Sequence, residues 1–479
     1  MRRIAAALAA ATALALTPAT AHAQDPGCVA ETEAESVPQK PGAAPLRFGI
    51  TPGVQTGQLG GPPSPPRTPE DPAQHLAKLD QLRGDPARPF VLRLHRFFWS
   101  DGEEGVQRFL ALADRYTSHG YLVELQLRYH PSAEQEGDIA AWTKHVRDVV
   151  ARFGANPGVV AIQVTNEVNL TYSPDSSDGS YANARDALVQ GVVAAKDEAV
   201  KHGYQQLKIG FNWAYRSDPA SETSFWNGVR DKGGEPFTRA VDWIGLDAYP
   251  GTFFPPAEAP GEERDGMVNA MSALRCYAQI PGIPGTVPIH VEENGWPTSP
   301  TRSEEDQARV LDTLVGAVDD FKGTYNVSDY RWFNLRDGDS TSPNMGVRYG
   351  LLRDDYSPKP AFGRYARHVQ ALSAPLATAP AAAGPRRKPR LSLTVRCRSR
   401  RSIRARVGGR DRGLIRSVRF SLDGRRAGRA ETRAPFGRRI KLRGRTRLKA
   451  RVRLTDGRRL TLRRGLRGCT RAVVREPRV

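Results

Sequence analysis

Closely spaced cysteine or histidine pairs are missing from this sequence. Its four cysteines, Cys28, Cys276, Cys397 and Cys469, are scattered over 479 residues. Such spacing excludes a structural zinc site of the usual kind. Long apolar runs are missing as well: past residue 23 there is no window of about twenty apolar residues, so no transmembrane segment is expected. A nucleotide turn is also absent, because Gly49-Ile50-Thr51-Pro52-Gly53, after the first strand-like run, lacks the dinucleotide fingerprint. Acidic residues are scarce in one region only. Residues 386–479 hold 35 Lys and Arg against 5 Asp and Glu, a balance of +30, and the remainder carries −10 within an overall +20. Nucleic-acid binding by the whole chain is thereby excluded; the positive charge belongs to its C-terminal part.

What is present begins with residues 1–23, which read as a secretory signal. Arg2 and Arg3 precede an apolar stretch over 4–16, and Ala21-His22-Ala23 forms a small-x-small cleavage site. A secreted, extracellular protein is the expectation, and the cysteines suit an oxidising compartment. Cys397 and Cys469 bracket the last region and are expected to pair. For Cys28 and Cys276, a disulfide and two free buried thiols both stand.

After a Pro/Glu-rich leader (24–45), eight strand-like runs occur at 46–50, 90–97, 121–129, 159–166, 207–213, 241–249, 287–293 and 329–335. Helical patterns fill the gaps, at 72–82, 105–119, 138–153, 181–202, 221–239, 265–278, 303–321 and 359–372. Trp142, Val146, Val149, Val150 and Phe153 follow the spacing of a helix packed on a sheet. The unbroken apolar run Val159-Val160-Ala161-Ile162 suits a parallel strand buried on both faces. Such alternation over 46–372 predicts an α/β fold, either a closed barrel or a doubly wound sheet. The missing nucleotide turn favours the (β/α)8 TIM barrel. Residues 373–389 form a Pro/Ala-rich linker. Beyond it, residues 390–479 alternate apolar and basic positions, with hairpin signals at Asp423-Gly424 and Asp456-Gly457. A small all-β, immunoglobulin-like sandwich is predicted there.

Two strand tips carry the chemistry. Val164-Thr165-Asn166-Glu167 ends the fourth run and Val291-Glu292-Glu293-Asn294-Gly295-Trp296-Pro297 ends the seventh. Glu167 and Glu293 are 126 residues apart, or 42 per βα unit. That even interval suits facing strands of a barrel, whose C-terminal rim holds its catalytic residues. Cleaving a glycosidic bond takes one protonated and one ionised carboxyl, about 5–5.5 Å apart when configuration is retained. Neighbours must push their pKa values apart. Glu167 is the candidate acid/base, with Asn166 beside it to hold a sugar hydroxyl, and Glu293 the candidate nucleophile. Glu292 competes with Glu293, although adjacent strand residues point to opposite faces. His130, Asn212 and Trp296 sit at or just past strand tips and are candidate subsite lining, as is Trp213. The loop 251–256 offers Phe253 and Phe254 to lengthen a cleft.

These two motifs resemble the strand-four and strand-seven signatures of glycoside hydrolase clan A, whose members are retaining (β/α)8 glycosidases. The resemblance spans roughly residues 46–372. Glu293-Asn294-Gly295-Trp296-Pro297 is similar to the β-1,3-glucanases, whereas Gly245-Leu246-Asp247-Ala248-Tyr249-Pro250 looks closer to family five and the galactanases. The resemblance implies that Arg93 on strand two keeps the nucleophile ionised, with Arg96 as the other candidate for that place. It implies that Tyr249 hydrogen-bonds the nucleophile and that Trp332 on strand eight stacks on sugar, unless Trp332 is simply core. It implies no metal and no organic cofactor. The substrate class is a polysaccharide, and the chain would act as a monomer.

The basic C-terminal part carries 32 Arg and 3 Lys. On a strand such as 447–454 these residues occupy one solvent face, which would bind polyanions. Outside a cell that means an anionic cell-wall polymer, an acidic polysaccharide or lipid headgroups rather than a specific nucleic acid. A rival reading of the whole chain follows: a non-catalytic wall-binding or polysaccharide-binding protein with a degenerate barrel, whose basic domain is the working part.

Overall fold

The computed structural model describes residues 28, 33–54, 65–253, 262–373, 390–399, 401–412, 415–442, 447–454 and 459–466. The signal-like residues 1–23, Phe254, most of the linker, Asp456-Gly457 and Cys469 lie outside them. The chain divides into two compact units, Met1–Leu376 and Ala377–Val479.

In the first unit strands and helices alternate strictly. Their order is β1 (Arg47–Ile50), α1 (Pro72–Arg83), β2 (Val91–Phe98), α2 (Gly102–Ser118), β3 (Leu122–Arg128), α3 (Ile139–Phe153), β4 (Val159–Val164) and α4 (Ala184–His202). Then come β5 (Lys208–Ala214), α5 (Pro219–Ala240), β6 (Trp243–Asp247), α6 (Glu263–Tyr277), β7 (Ile289–Asn294), α7 (Glu304–Tyr325), β8 (Val327–Trp332) and α8 (Pro360–Leu372). Every strand pairs in parallel with the next, and β8 closes on β1 with Phe48 opposite Tyr330. The first unit is a closed eight-stranded βα barrel.

Local chemistry accounts for the helices. Asp71 caps α1 by accepting from the Ala73 and Gln74 amides, and Asp138 caps α3 at Ala141. Trp142, Val146, Val149, Val150 and Phe153 are fully buried against the sheet. The helical pattern over 221–239 is faint because α5 is two helical stretches joined at Gly234, where φ is +53°, just before Pro236. Cys28 and Cys276 are joined in a disulfide with Cα atoms 5.3 Å apart, tying the segment before β1 to α6. No helix among the described residues is long and apolar enough to cross a membrane.

Inside the barrel the side chains are not aliphatic. Strand alternation sends Val123, Leu125 and Leu127 outward to the helices and Glu124, Gln126 and Arg128 inward. Arg93, Glu124, Gln163, His290, Glu292, Asp329 and Arg331 fill the interior, nearly all at 0–3% exposure. Arg331 bonds Asp329 at 2.7 Å and Glu124 at 3.2 Å. Burial, and then the charge of Glu292, push the Glu124 carboxyl up to about 8. Native Glu124 therefore stays protonated over a range in which the unfolded chain has lost that proton. Stability falls as pH rises through that range, because the native state binds more protons. Glu124→Gln should flatten the fall between about pH 5 and pH 8 in denaturant titrations. An unchanged slope would mean that Glu124 is already ionised in the fold.

The second unit contains β9 (Leu391–Ser399), β10 (Ser402–Gly409), β11 (Ile415–Leu422), β12 (Arg425–Arg426), β13 (Gly437–Lys441), β14 (Arg447–Leu454) and β15 (Arg459–Gly465). They form a three-stranded sheet, β13-β10-β9, and a four-stranded sheet, β12-β11-β14-β15, all antiparallel. One apolar core, including Leu393, Ile403, Ala405, Phe420, Leu448 and Val452, draws on both sheets, as in a β-sandwich. Asp423 and Gly424 both take positive φ, +43° and +84°, and turn β11 into β12. Cys397 is disulfide-bonded.

Candidate active site

The C-terminal rim of the barrel opens into a cleft lined by Glu167, Asp247 and Glu293, with Tyr249, Phe333 and Tyr349 among the aromatics. Local backbone geometry aims the carboxylates. β4 stops at Val164 because Thr165 takes φ +66°, and Glu167 itself takes φ +46°. Non-glycine residues in that region are strained, and such strain collects at functional sites. Buried Asp178 holds the bend: its carboxylate accepts from the Asn166 and Tyr129 amides, each at 2.9 Å, and from Arg128 Nε at 2.9 Å.

On β7 simple alternation fails. Leu246 pairs with Val291 but Asp247 pairs with Glu293, so β7 carries one extra residue at Glu292. Such a bulge re-aims side chains. Glu292 points down into the interior, 3.3 Å from Arg93 Nε, while Glu293 reaches the cleft.

The two candidate carboxyls have unlike surroundings. Glu293 Oε1 accepts from Arg93 Nη1 at 2.7 Å and Oε2 from the Tyr249 hydroxyl at 2.7 Å. Burial works to raise its pKa, but Arg93 and Tyr249 hold it below the ordinary carboxylate value. Arg93 is fixed in turn by Gln163, whose Oε1 accepts from Nη2 at 2.8 Å. Among the described residues no cation pairs directly with Glu167; Arg128 and Arg93 act on it only as lesser influences. Glu167 accepts from Ser177 Oγ at 2.9 Å, and burial followed by the charge of Glu293 pushes it up to about 8. One carboxylate oxygen from each of Glu167, Asp247 and Glu293 lies within 4.8 Å of the other two. Burial and then Glu293 push Asp247 well above its usual range.

The other sequence candidates divide. Arg93, Asn166 and Tyr249 gather around the pair, and Arg96 lines the cleft with its guanidinium bonded to the Asp175 carbonyl. Asn166 Oδ1 accepts from Gln126, Gln163 and Asn212, so this side chain braces the floor. Asn212 does not line the cleft. It is 1% exposed and works from beneath, accepting from the Glu167 amide at 2.9 Å and donating to Asp247.

Trp332 is a correction. It is wholly buried on the outer side of β8 against Tyr365, because alternation turns its neighbour Phe333 into the cleft instead. His130 stacks on Phe98, centroids 4.2 Å apart, and is not among the residues that line the cleft around the pair. Trp296 is covered by Arg302, 3.7 Å from its ring centroid, and is likewise not lining. Trp213 is buried and donates to Glu222. Asp247, Ser177, Gln126, Gln163 and Phe333 were not singled out. Asp247 had a readable signal, a carboxylate at the tip of a strand two residues from Tyr249; Ser177 had none, since only loop folding brings it to Glu167.

No family model matches the chain. Over 218 residues, 45% of the chain, it is 22% identical to a probable glucan endo-1,3-beta-glucosidase, eglC, of Aspergillus niger, and it spans 44% of that relative's length. Among solved structures it is similar to a β-glucuronidase from Ruminococcus gnavus at a TM-score of 0.44 and 16% identity, over 68% of this chain and 50% of that one. It is also similar to a GH5_18 protein from Streptomyces cattleya at a TM-score of 0.43 and 16% identity, over 73% and 83%.

Proposed function

We propose that the barrel is a secreted retaining glycoside hydrolase that cleaves β-O-glycosidic bonds of a polysaccharide, with Glu167 as acid/base and Glu293 as nucleophile. The observation that carries this reading is the separation of the pair. One oxygen of each carboxyl lies within 4.8 Å of the other, which suits the short retaining separation better than the wider inverting one. Protonated Glu167 gives its proton to the glycosidic oxygen as Glu293, kept anionic by Arg93, attacks the anomeric carbon. Water then enters, Glu167 takes its proton, and the sugar leaves with its β configuration. Tyr249 holds the attacking carboxylate in place.

The fungal relative puts β-1,3-glucan first in a panel of wall polysaccharides. Proton NMR of the earliest product from the substrate that is cleaved tests the reading: the β-anomer should appear first, and an initial α-anomer would sink it. Release of no reducing sugar from any panel member would favour the non-catalytic wall-binding alternative.

Asp247 enters the same reading as a neutral carboxylic acid. Three carboxyls this close do not all ionise, and Arg93 claims the charge for Glu293. Asp247 lines the cleft and its buried Oδ1 has no hydrogen-bond partner, so the protonated carboxyl has a hydroxyl free to donate to Glu293. Asp247→Asn keeps a donor and should retain activity within about tenfold, whereas Asp247→Ala should lose ~10²-fold or more in kcat/KM. Equal losses in both would mean that Asp247 acts as an anion.

A further inference from the structure

The four-stranded sheet of the second unit carries an ordered cationic array. β14 lies between β11 and β15. Leu448, Ala450, Val452 and Leu454 point into the core, so its outward positions are Arg447, Lys449, Arg451 and Arg453, a cation at every one. Alternate strand residues stand about 7 Å apart, which makes a straight row of charges about 20 Å long. Register widens the row: Arg451 lies opposite Arg419 of β11, and Lys449 lies opposite Arg463 of β15. The remaining cross-strand partners on this face include the hydroxyl residues Ser417, Ser421 and Thr461. Asp423, which exchanges backbone and carboxylate hydrogen bonds with the Arg447 main chain at the end of the row, is the acidic neighbour among the described residues. Like charges set directly opposite destabilise a sheet. A bound polyanion removes that penalty. The other sheet opposes cations as well, with Arg404 between Arg396 and Arg439, but the outward row along its central strand β10 is shorter, ending at Ser402 and Gly408 on either side of Arg404 and Arg406.

We propose that the β14 row, with Arg419 and Arg463 beside it, binds a linear phosphodiester polymer with a polyol backbone, laid along the strand. Guanidinium forks favour phosphate oxygens, which fits a surface built of Arg rather than Lys. An extended chain advances about 3.3–3.6 Å per three backbone bonds, so a six-bond glycerol phosphate repeat spans ~7 Å, the spacing of the row. The described side chains of this face include no aromatic ring on which a nucleic-acid base would stack, which favours the polyol over single-stranded nucleic acid. The site rests on the second unit alone and is independent of what the barrel does.

The test is a titration of the full chain with a fluorescent glycerol phosphate oligomer, read by polarisation over a series of salt concentrations. Four phosphates contacted give a log–log salt slope of about −3. Arg451→Glu with Arg453→Glu should weaken binding at least ~30-fold and flatten the slope, while Arg404→Glu with Arg406→Glu, the same change in charge on the other sheet, should weaken it less than ~3-fold. Thermal unfolding of each variant checks the fold, and Arg451→Gln with Arg453→Gln repeats the measurement with a milder change. Equal losses on the two sheets would reduce the effect to unlocalised charge and overturn the site. Tighter binding of a single-stranded oligonucleotide of equal charge would overturn the polyol assignment, as would binding only to phosphatidylglycerol vesicles.

Discussion

Glu293→Gln should lower kcat/KM by at least ~10³-fold with the fold intact, the largest loss expected of any single substitution in the cleft. Gln matches Glu in shape; its single carbonyl oxygen keeps the bond from Arg93, and its NH2 faces the Tyr249 hydroxyl, which can turn to accept. What disappears is the anion that forms the glycosyl–enzyme bond. A 2-fluoro glycoside of the cleaved sugar should add its glycosyl mass to the wild-type protein and nothing to the variant. Glu292→Gln is the companion. Buried beneath the bulge, Glu292 should affect stability more than chemistry. If it were Glu292→Gln that abolished labelling while Glu293→Gln still reacted, the assignment on β7 would be reversed.

The second large effect belongs to Glu167 and is visible in pH dependence. The acid must be protonated, so activity is lost as pH rises past its pKa. Burial and Glu293 place that near 8, and kcat/KM should fall along an alkaline limb at about that pH. The acid limb comes from Glu293, held below the usual carboxylate range by Arg93 and Tyr249 despite its burial. Both limbs report the interacting pair rather than isolated residues. Glu167→Gln should erase the alkaline limb and cost ~10²–10⁴-fold on substrates with a poor leaving group. An aryl glycoside that departs without a proton should suffer much less in the glycosylation step. A variant equally impaired on both substrates would show that Glu167 does not deliver the proton.

Much of this arrangement was legible in the sequence because it depends on periodicity. Alternating apolar runs and amphipathic patterns are local, and they announce eight strands and eight helices without tertiary knowledge. The strand tips follow from them, and with the tips come Glu167, Glu293 and Arg93. Asp423-Gly424 announced a hairpin for the same local reason: few dipeptides tolerate two positive φ angles. Simple alternation served less well at rims. It sets Glu292 and Glu293 on opposite faces, whereas the bulge turns one downward and the other into the cleft. It also makes Trp332 a core residue and brings Phe333 forward, a one-residue difference that composition does not reveal.

The sequence by itself determined the alternation that makes a βα barrel, the strands whose ends carry acids, and the separation of charge between the two units. Those are properties of short stretches and of counting. Tertiary structure alone decided which acids meet and which one gives up its proton. Glu167, Asp247 and Glu293 come from three distant strand ends, and only barrel closure sets them within 4.8 Å. Arg93 reaches Glu293 across 200 positions of sequence, and that contact, with burial of all three, separates one anion from two neutral acids. Ionisation answers to distance and desolvation, and neither is a property of a chain until it has folded.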